Sequence, residues 1–471
     1  MPHGPEAELG LIQHTLDIDR SILFGSDTEG LNLNITIPEG TSDHDKLPVF
    51  LFIHGGGFMV GSATWPQYDM SKFVQLGKSK GVPCIAVNFN YRLGAAGLLT
   101  SKELHDAGYV ANNAIRDQRT AMLWVKKYIG GFGGDPENVT LAGESAGAAS
   151  CSYHLQSEQP LFKRIVLMSG SDLLIPPIPV EAAEKNYENA IKALGLESQP
   201  ATERVEALLK MDGLSLLSDT KAPMLPVIDD ELPLKPQSFD DFNTRKLNLP
   251  GTQWCKAIMV GDCQFDGFIQ FLRLMHRKHG IGAAFCNSIQ VSFSSGDTAV
   301  KLLSAYGITT DLDDDTAFFK VLEVANDVCF YAPTVAYAQG LSKHMKTYMY
   351  RFNEPNPWEG QWKGHATHIL DVAFLFQNFN EFLDQPQQQL AEEFAVKMLS
   401  FAHGSEPWEA WTGEKRVAEV FGPQGKVQML EDEPDKVGRR KVLFELAAEV
   451  EGGMDRIVEA FNEFMRGPPV T

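Results

Sequence analysis

Residues 138–150 read NVTLAGESAGAAS, an apolar stretch that runs without a loop into a series of small residues. A strand that turns straight into a helix confines a chain to a layered α/β arrangement, because the helix must fold back over the strand's own sheet. The turn is Gly143-Glu144-Ser145-Ala146-Gly147, a G-x-S-x-G pattern. Such a turn lifts the serine Oγ above the sheet, and its flanking glycines avoid collision with the neighbouring strand and helix. Ser145 is therefore a candidate nucleophile. The bland alternative, a small-residue turn with no chemistry, has to be weighed against the rest of the chain.

The same alternation recurs on both sides of this segment. PVFLFIHGGG (48–57), PCIAVNFNYRLG (83–94), RIVLMSGS (164–171), KAIMVGD (256–262) and TYMYRF (347–352) are uninterrupted apolar runs of strand length. Runs of this kind, separated by helical segments, indicate a parallel sheet covered on both faces. Between them, residues 112–129 place Ile115, Met122, Val125 and Ile129 on one face at helical spacing. No internal repeat or low-complexity linker divides the chain. We expect a single α/β domain over 1–471, with helical insertions at about 172–250 and 268–345. From about 385 onward the chain reads as helix and loop, ending in an amphipathic segment of Ile457, Phe461, Phe464 and Met465.

Composition removes several function classes. A net charge of −20 with no basic patch argues against nucleic acid or an anionic membrane surface as partner. No apolar run reaches the roughly 18 residues of a membrane span. The first twenty residues lack the basic and apolar regions of a secretory signal, so a cytoplasmic location is expected. Cys84, Cys151, Cys255, Cys263, Cys286 and Cys329 form no CxxC pair and read as reduced thiols rather than disulfides or metal ligands. The N-x-T matches at Asn34 and Asn138 fall on strand-like segments and read as chance.

A serine needs a base and a site for the oxyanion. His54-Gly55-Gly56-Gly57-Phe58 follows a strand, and three glycines let backbone N–H groups turn inward with no side chain in the way. Gly56 and Gly57, with Ala146 after the nucleophile, are the expected donors. For the base, GHATH at 364–368 follows the strand TYMYRF and precedes an apolar helix, offering His365 and His368.

Taken together, HGGGF, NYRLGAAGLL, DQRTAMLWVKKYIGGFGGDPENVTLAGESAGAAS and PVIDDELP resemble the type-B carboxylesterase/lipase family, relatives of the cholinesterases with the α/β-hydrolase fold. The match is dense from about 29 to 171 and sparser, in the right order, to about 380. In flavour it is similar to fungal members. The resemblance implies a Ser–acid–His triad. Its acid motif, G-x-x-x-x-(Glu/Asp)-Gly, is matched by Gly261, Asp266 and Gly267, with Asp262 a rival nearer the strand end. Asp229 and Asp230 belong to a separate, structural motif. For the base, relatives read H-x-x-(Glu/Asp)-x-x-x-x-F; His368, Asp371 and Phe376 fit, whereas His365 does not and becomes a loop residue at the pocket mouth. A position at a helix start is expected to keep His368 neutral at rest.

Two departures stand out. Gly30 occupies the place of a family cysteine, which removes half of a disulfide. The chain also begins almost at that motif, where relatives carry a longer preceding region with the choline-binding tryptophan, so choline esters are not expected. The implied activity is hydrolysis of a small to medium ester, in the setting of secondary metabolism, with Trp65, Tyr68 and the insertions lining the pocket. No metal or organic cofactor is implied. Two alternatives stay open: acyl transfer, lactone formation or coupling by the same triad, and a non-catalytic binding protein. The sequence leaves the oligomeric state open.

Overall fold

Nine strands form one sheet in the computed structural model, which describes residues 4–467 except 22–25, 27–28, 221–223, 230–231, 233, 245–246, 294–295 and 432–437. They are β1 (Leu33–Thr36), β2 (Leu47–Ile53), β3 (Ile85–Phe89), β4 (Gly134–Glu144), β5 (Arg164–Met168), β6 (Ala257–Cys263), β7 (Lys346–Phe352), β8 (Val417–Phe421) and β9 (Val427–Glu431). Their order across the sheet is β1-β3-β2-β4-β5-β6-β7-β8-β9. From β3 to β8 every pair is parallel; β1 and β9 close the two edges antiparallel. The α/β class expected from the sequence is what the chain forms.

β2 shows why the strands read as unbroken apolar runs. Val49, Leu51 and Ile53 enter one apolar cluster, Phe50 and Phe52 enter another on the opposite face, and all five are fully buried. A strand covered on both faces has no polar side to alternate with. The helix Asn113–Tyr128 buries Ile115, Met122 and Val125 on one of these faces, with Ile129 just beyond its end.

Residues 172–250 contain the helices Val180–Ala193, Ala201–Lys210, Gly213–Asp219 and Phe239–Asn243. Between β6 and β7 lie Ile281–Ser292, Gly296–Tyr306 and Asp314–Asn326, then a π-helical turn, Asp327–Tyr331, that runs into Ala332–Leu341. The final helices, Gly438–Glu449 and Gly453–Arg466, pack on this group and bury Ile457, Phe461 and Phe464. Arg439 and Arg440 fasten them there: their Nε atoms lie 2.7 and 2.9 Å from the two carboxylate oxygens of buried Asp327.

Two features depart from the sequence reading. Residues beyond 385 do not form helix and loop alone, because β8 and β9 pair there as a hairpin. Each is only five residues long, too short for periodicity to distinguish it from loop. The helix Glu6–Ile12 is also new, with Leu9 and Ile12 buried in the apolar cluster that carries Phe52. All six cysteines are free and buried. Among the described residues no helix is long and apolar enough to cross a membrane.

Candidate active site

Ser145 stands alone between the end of β4 and the helix Ala146–His154, at φ 56° and ψ −122°. That conformation is strained for any residue with a Cβ and is held by the surroundings. A Cβ on Gly143 would lie 2.4 Å from the Gly147 carbonyl, and one on Gly147 would lie 2.1 Å from the Ile53 oxygen. Both flanks must therefore be glycine. The Ser145 N–H donates to Met168 O at 2.9 Å, which ties the turn to β5.

The glycine loop passes directly against this turn. A Cβ on Gly55 would meet Glu144 Oε2 at 2.5 Å and the Ser145 Cβ at 3.0 Å. Gly56 and Gly57 follow with φ of 93° and 61°, and Gly56 O accepts from the N–H groups of Met59 and Val60. Among the described residues the N–H groups of Gly56 and Gly57 donate to no protein acceptor. His54 anchors the loop: Tyr91 donates from its hydroxyl to His54 O at 2.9 Å and stacks on its ring at 4.5 Å. Burial pushes the His54 imidazole down to about 4, so it is neutral and structural.

Asp266 and His368 meet across the ends of β6 and β7. Asp266 Oδ1 lies 2.7 Å from His368 Nδ1, and Asp266 Oδ2 accepts from Ser169 Oγ at 2.9 Å and the Cys263 N–H at 2.7 Å. The loops carrying them are stitched together, since the Phe265 N–H donates to Ala366 O at 2.8 Å. His368 is buried, with its ring edge-on to Phe330 at 5.2 Å. Asp262 is occupied elsewhere, in a buried ion pair with Arg351. Of the two rival aspartates, Asp266 is the one at the histidine.

The other ring nitrogen faces the residue before the serine. His368 Nε2 lies 3.0 Å from Glu144 Oε1, yet that oxygen has no hydrogen-bond partner. The contact is close but misaligned, leaving the in-plane direction of Nε2 unused by Glu144. Asp371, three residues on, accepts from Tyr350 OH at 2.7 Å and from the Val372 N–H. Burial opposes charge on His368, but Glu144, Asp266 and Asp371 outweigh it and raise the imidazole to about 9. These carboxylates pull against the helix start, which is expected to favour the neutral imidazole. The helix Leu370–Leu375 has only six residues, and three nearby carboxylates overcome its weak positive end. Glu144 is itself raised well above the carboxylate range, chiefly by burial. Glu144 and His368 therefore compete for one proton.

Residues 12–436 match the model of the carboxylesterase family. The chain belongs to this family. Relatives include Lipase 3 of Yarrowia lipolytica, 28% identical over 400 residues that cover 80% of this chain and 72% of that protein. Para-nitrobenzyl esterase of Bacillus subtilis is 27% identical over 442 residues, covering 88% and 82%. Bile salt-activated lipase of Homo sapiens is 30% identical over 405 residues, covering 74% of this chain and 49% of its own length. Among solved structures, a para-nitrobenzyl esterase shares the fold with a TM-score of 0.70 at 23% identity, covering 94% of this chain and 87% of that one. The chain is a carboxylic ester hydrolase of the α/β-hydrolase fold.

Within this carboxylesterase, Gly56 and Gly57 follow β2, Ser145 and Ala146 follow β4, Asp266 follows β6 and His368 lies on the loop after β7. Trp65 and Tyr68 lie in the protein interior. Both are buried, and the Tyr68 hydroxyl is taken by Glu8 at 2.8 Å. His365 is half-buried between Phe265 and Phe319, 5.2 and 5.4 Å away. Asp229 pairs with Arg116, and Asp230 lies outside the described residues. Sequence reasoning missed Ser169, Tyr91 and Glu8, and it read Glu144 only as a spacer. For Ser169 the signal existed: it follows β5, whose Met168 is in register with Glu144. No group of three or more His, Cys, Asp or Glu side chains among the described residues is arranged to hold a metal.

Proposed function

We propose that this carboxylesterase cleaves a small to medium neutral ester through a covalent acyl-enzyme on Ser145. The observation that carries the reading is the 2.7 Å bond between Asp266 and His368 beside the strained turn that presents Ser145. Ser145 Oγ attacks the ester carbonyl carbon while His368 Nε2 takes the hydroxyl proton. Asp266 holds Nδ1–H, which fixes the tautomer with Nε2 as acceptor and stabilises the imidazolium that forms. The N–H groups of Gly56, Gly57 and Ala146 receive the oxyanion, each free to donate because no side chain intervenes.

His368 then returns the proton to the departing alkoxide, and the alcohol leaves. Water attacks the acyl-enzyme, His368 takes its proton, and collapse of the second tetrahedral intermediate releases the acid and restores Ser145. Neutral esters are favoured because Asp266 and Asp371 are buried beside the base, where an anionic substrate would be repelled. Ser145→Ala is expected to lower kcat by a factor on the order of 10⁴ or more. A phosphonate ester should add one phosphonyl group to the wild type and none to the variant. Full activity in Ser145→Ala would sink the reading, and transfer to an added alcohol in place of hydrolysis would favour acyl transfer.

A further inference from the structure

Ile369, next to the catalytic base, holds a backbone conformation that its own side chain opposes. Its φ is 69° and its ψ −6°, in the left-handed region, where a β-branched residue is an outlier. Such a turn persists only where the surroundings over-determine it. His368, whose Nδ1 lies 2.7 Å from Asp266 Oδ1, immediately precedes Ile369. Relaxation of the turn would therefore move the base. One restraint is already described, since the Phe265 N–H holds Ala366 O at 2.8 Å. It grips the loop at a single point.

Asn356 grips it at two more. Its N–H donates to His365 O at 3.0 Å, and its own carbonyl accepts from the Gly364 N–H at 2.9 Å. The side chain is used just as fully. Oδ1 accepts from the Trp358 N–H at 2.9 Å, which closes a local turn, and Nδ2 donates to Ile12 O at 2.8 Å. Asn356 is buried, so water does not readily replace a lost bond. Ile12 ends the helix Glu6–Ile12, whose last carbonyls have no partner within the helix. Gln13, just beyond, adds a second link: its Oε1 accepts from the Trp362 N–H at 2.8 Å. Leu9 and Ile12 pack in the apolar cluster that holds Ile369. On its other side the helix is anchored through Glu8, whose Oε2 accepts from Gln67 Nε2 and Tyr68 OH at 2.8 Å each. The helix is thus a brace between the segment at 67–68 and the loop of the base.

We propose that Asn356 is a positioning residue for the ester-cleaving reaction: braced on the helix Glu6–Ile12, it holds the loop in the strained turn at Ile369 and so keeps His368 on Asp266. The proposal rests on His368 being the base. Its test is kcat and KM toward p-nitrophenyl acetate for wild type, Asn356→Ala, Ile369→Gly and the double variant. Each rate is expressed per site titrated to completion with a phosphonate ester, so that unfolded protein is not counted. Glycine adopts a positive φ at no steric cost, and Ile369→Gly therefore removes the strain that the brace holds.

Asn356→Ala is expected to lower kcat about tenfold or more, toward the roughly 10²-fold cost of a 1 Å misplacement, with KM little changed. In the Ile369→Gly background the same change should cost at least about threefold less, because the two residues are coupled through the turn. Gln13→Ala removes the other bond between helix and loop and decides the matter if Asn356→Ala does not fold. It should lower kcat by less, and Ile369→Gly should again soften the loss. An unchanged kcat per titrated site would reduce Asn356 to a structural residue. Equal losses in both backgrounds would mean that it does not act through the turn, and a raised KM at constant kcat would place its effect on substrate binding. Each of these overturns the proposal. If His368→Ala keeps wild-type activity, the triad reading fails first; if that variant is inactive and Asn356→Ala behaves as wild type, only the role of Asn356 fails.

Discussion

Glu144 Oε1 lies 3.0 Å from His368 Nε2 but forms no hydrogen bond with it, so the two interact through charge rather than a directed bond. Such a contact shifts the base without occupying the lone pair that the reaction needs. Glu144→Gln removes the largest favourable influence on the imidazolium. A base raised by its neighbours loses activity as pH falls through its raised pKa, so lowering that pKa extends activity to lower pH. The acid limb of kcat/KM for Glu144→Gln should fall toward the ordinary histidine value of about 6.5. A limb that stays in place would show that Glu144 does not act on the base.

Asp266 and Asp262 separate by what their loss costs. Asp266 Oδ1 bonds the imidazole, and Asp262 neutralises Arg351 inside the sheet. Asp266→Asn should lower kcat by about 10⁴-fold through the wrong tautomer while leaving the fold intact. Asp262→Asn removes the carboxylate that faces Arg351 in a buried ion pair and should cost about 3 kcal/mol of stability, with most of the activity kept. Denaturant unfolding and kcat measured on both variants give opposite rankings if the assignment is right.

The parts of the site visible in the sequence are those whose local chemistry admits few residue types. Gly143 and Gly147 are forced by backbone contacts near 2 Å, and Asp266 and His368 follow strand ends and are singled out from Asp262 and His365 by the motifs of the family the sequence resembles. Glu8, Ser169 and Tyr91 reach the site only through folding. Glu8 comes from a helix 360 positions from His368 in sequence, and no periodicity links the two. Trp65 and Tyr68 read as pocket lining because an aromatic near a catalytic loop has that look in sequence, whereas the structure buries both. The hairpin of β8 and β9 was hidden by its length.

The glycine loop should tolerate a methyl group at one position and not at another. A Cβ on Gly55 meets Glu144 Oε2 and the Ser145 Cβ, whereas one on Gly57 meets nothing within 4 Å. Gly55→Ala must displace the nucleophile, and misplacement near 1 Å costs roughly 10²-fold in rate. Gly57→Ala bears only the strain of its positive φ, about 1–2 kcal/mol. Gly55→Ala should thus lose far more of kcat than Gly57→Ala. Equal losses would mean that the loop is not held against Ser145.

Asp327 joins the final helices to the wall of the site. It accepts from Arg439, Arg440 and Tyr306 OH, and the π-helical turn it opens carries Phe330 against His368. Burial works against its charge, but Arg440 and Arg439 overcome that and hold the carboxyl below the usual value. A depressed folded pKa gives stability that is present above the unfolded value near 3.9 and is lost as pH falls through the folded one. Asp327→Asn should therefore cost about 3 kcal/mol near neutral pH. The difference from wild type should shrink as pH drops below 3.9, because both chains then lack the charge. Urea unfolding of the two proteins across that range tests the assignment, and a gap independent of pH would show that the ion pairs are not its source.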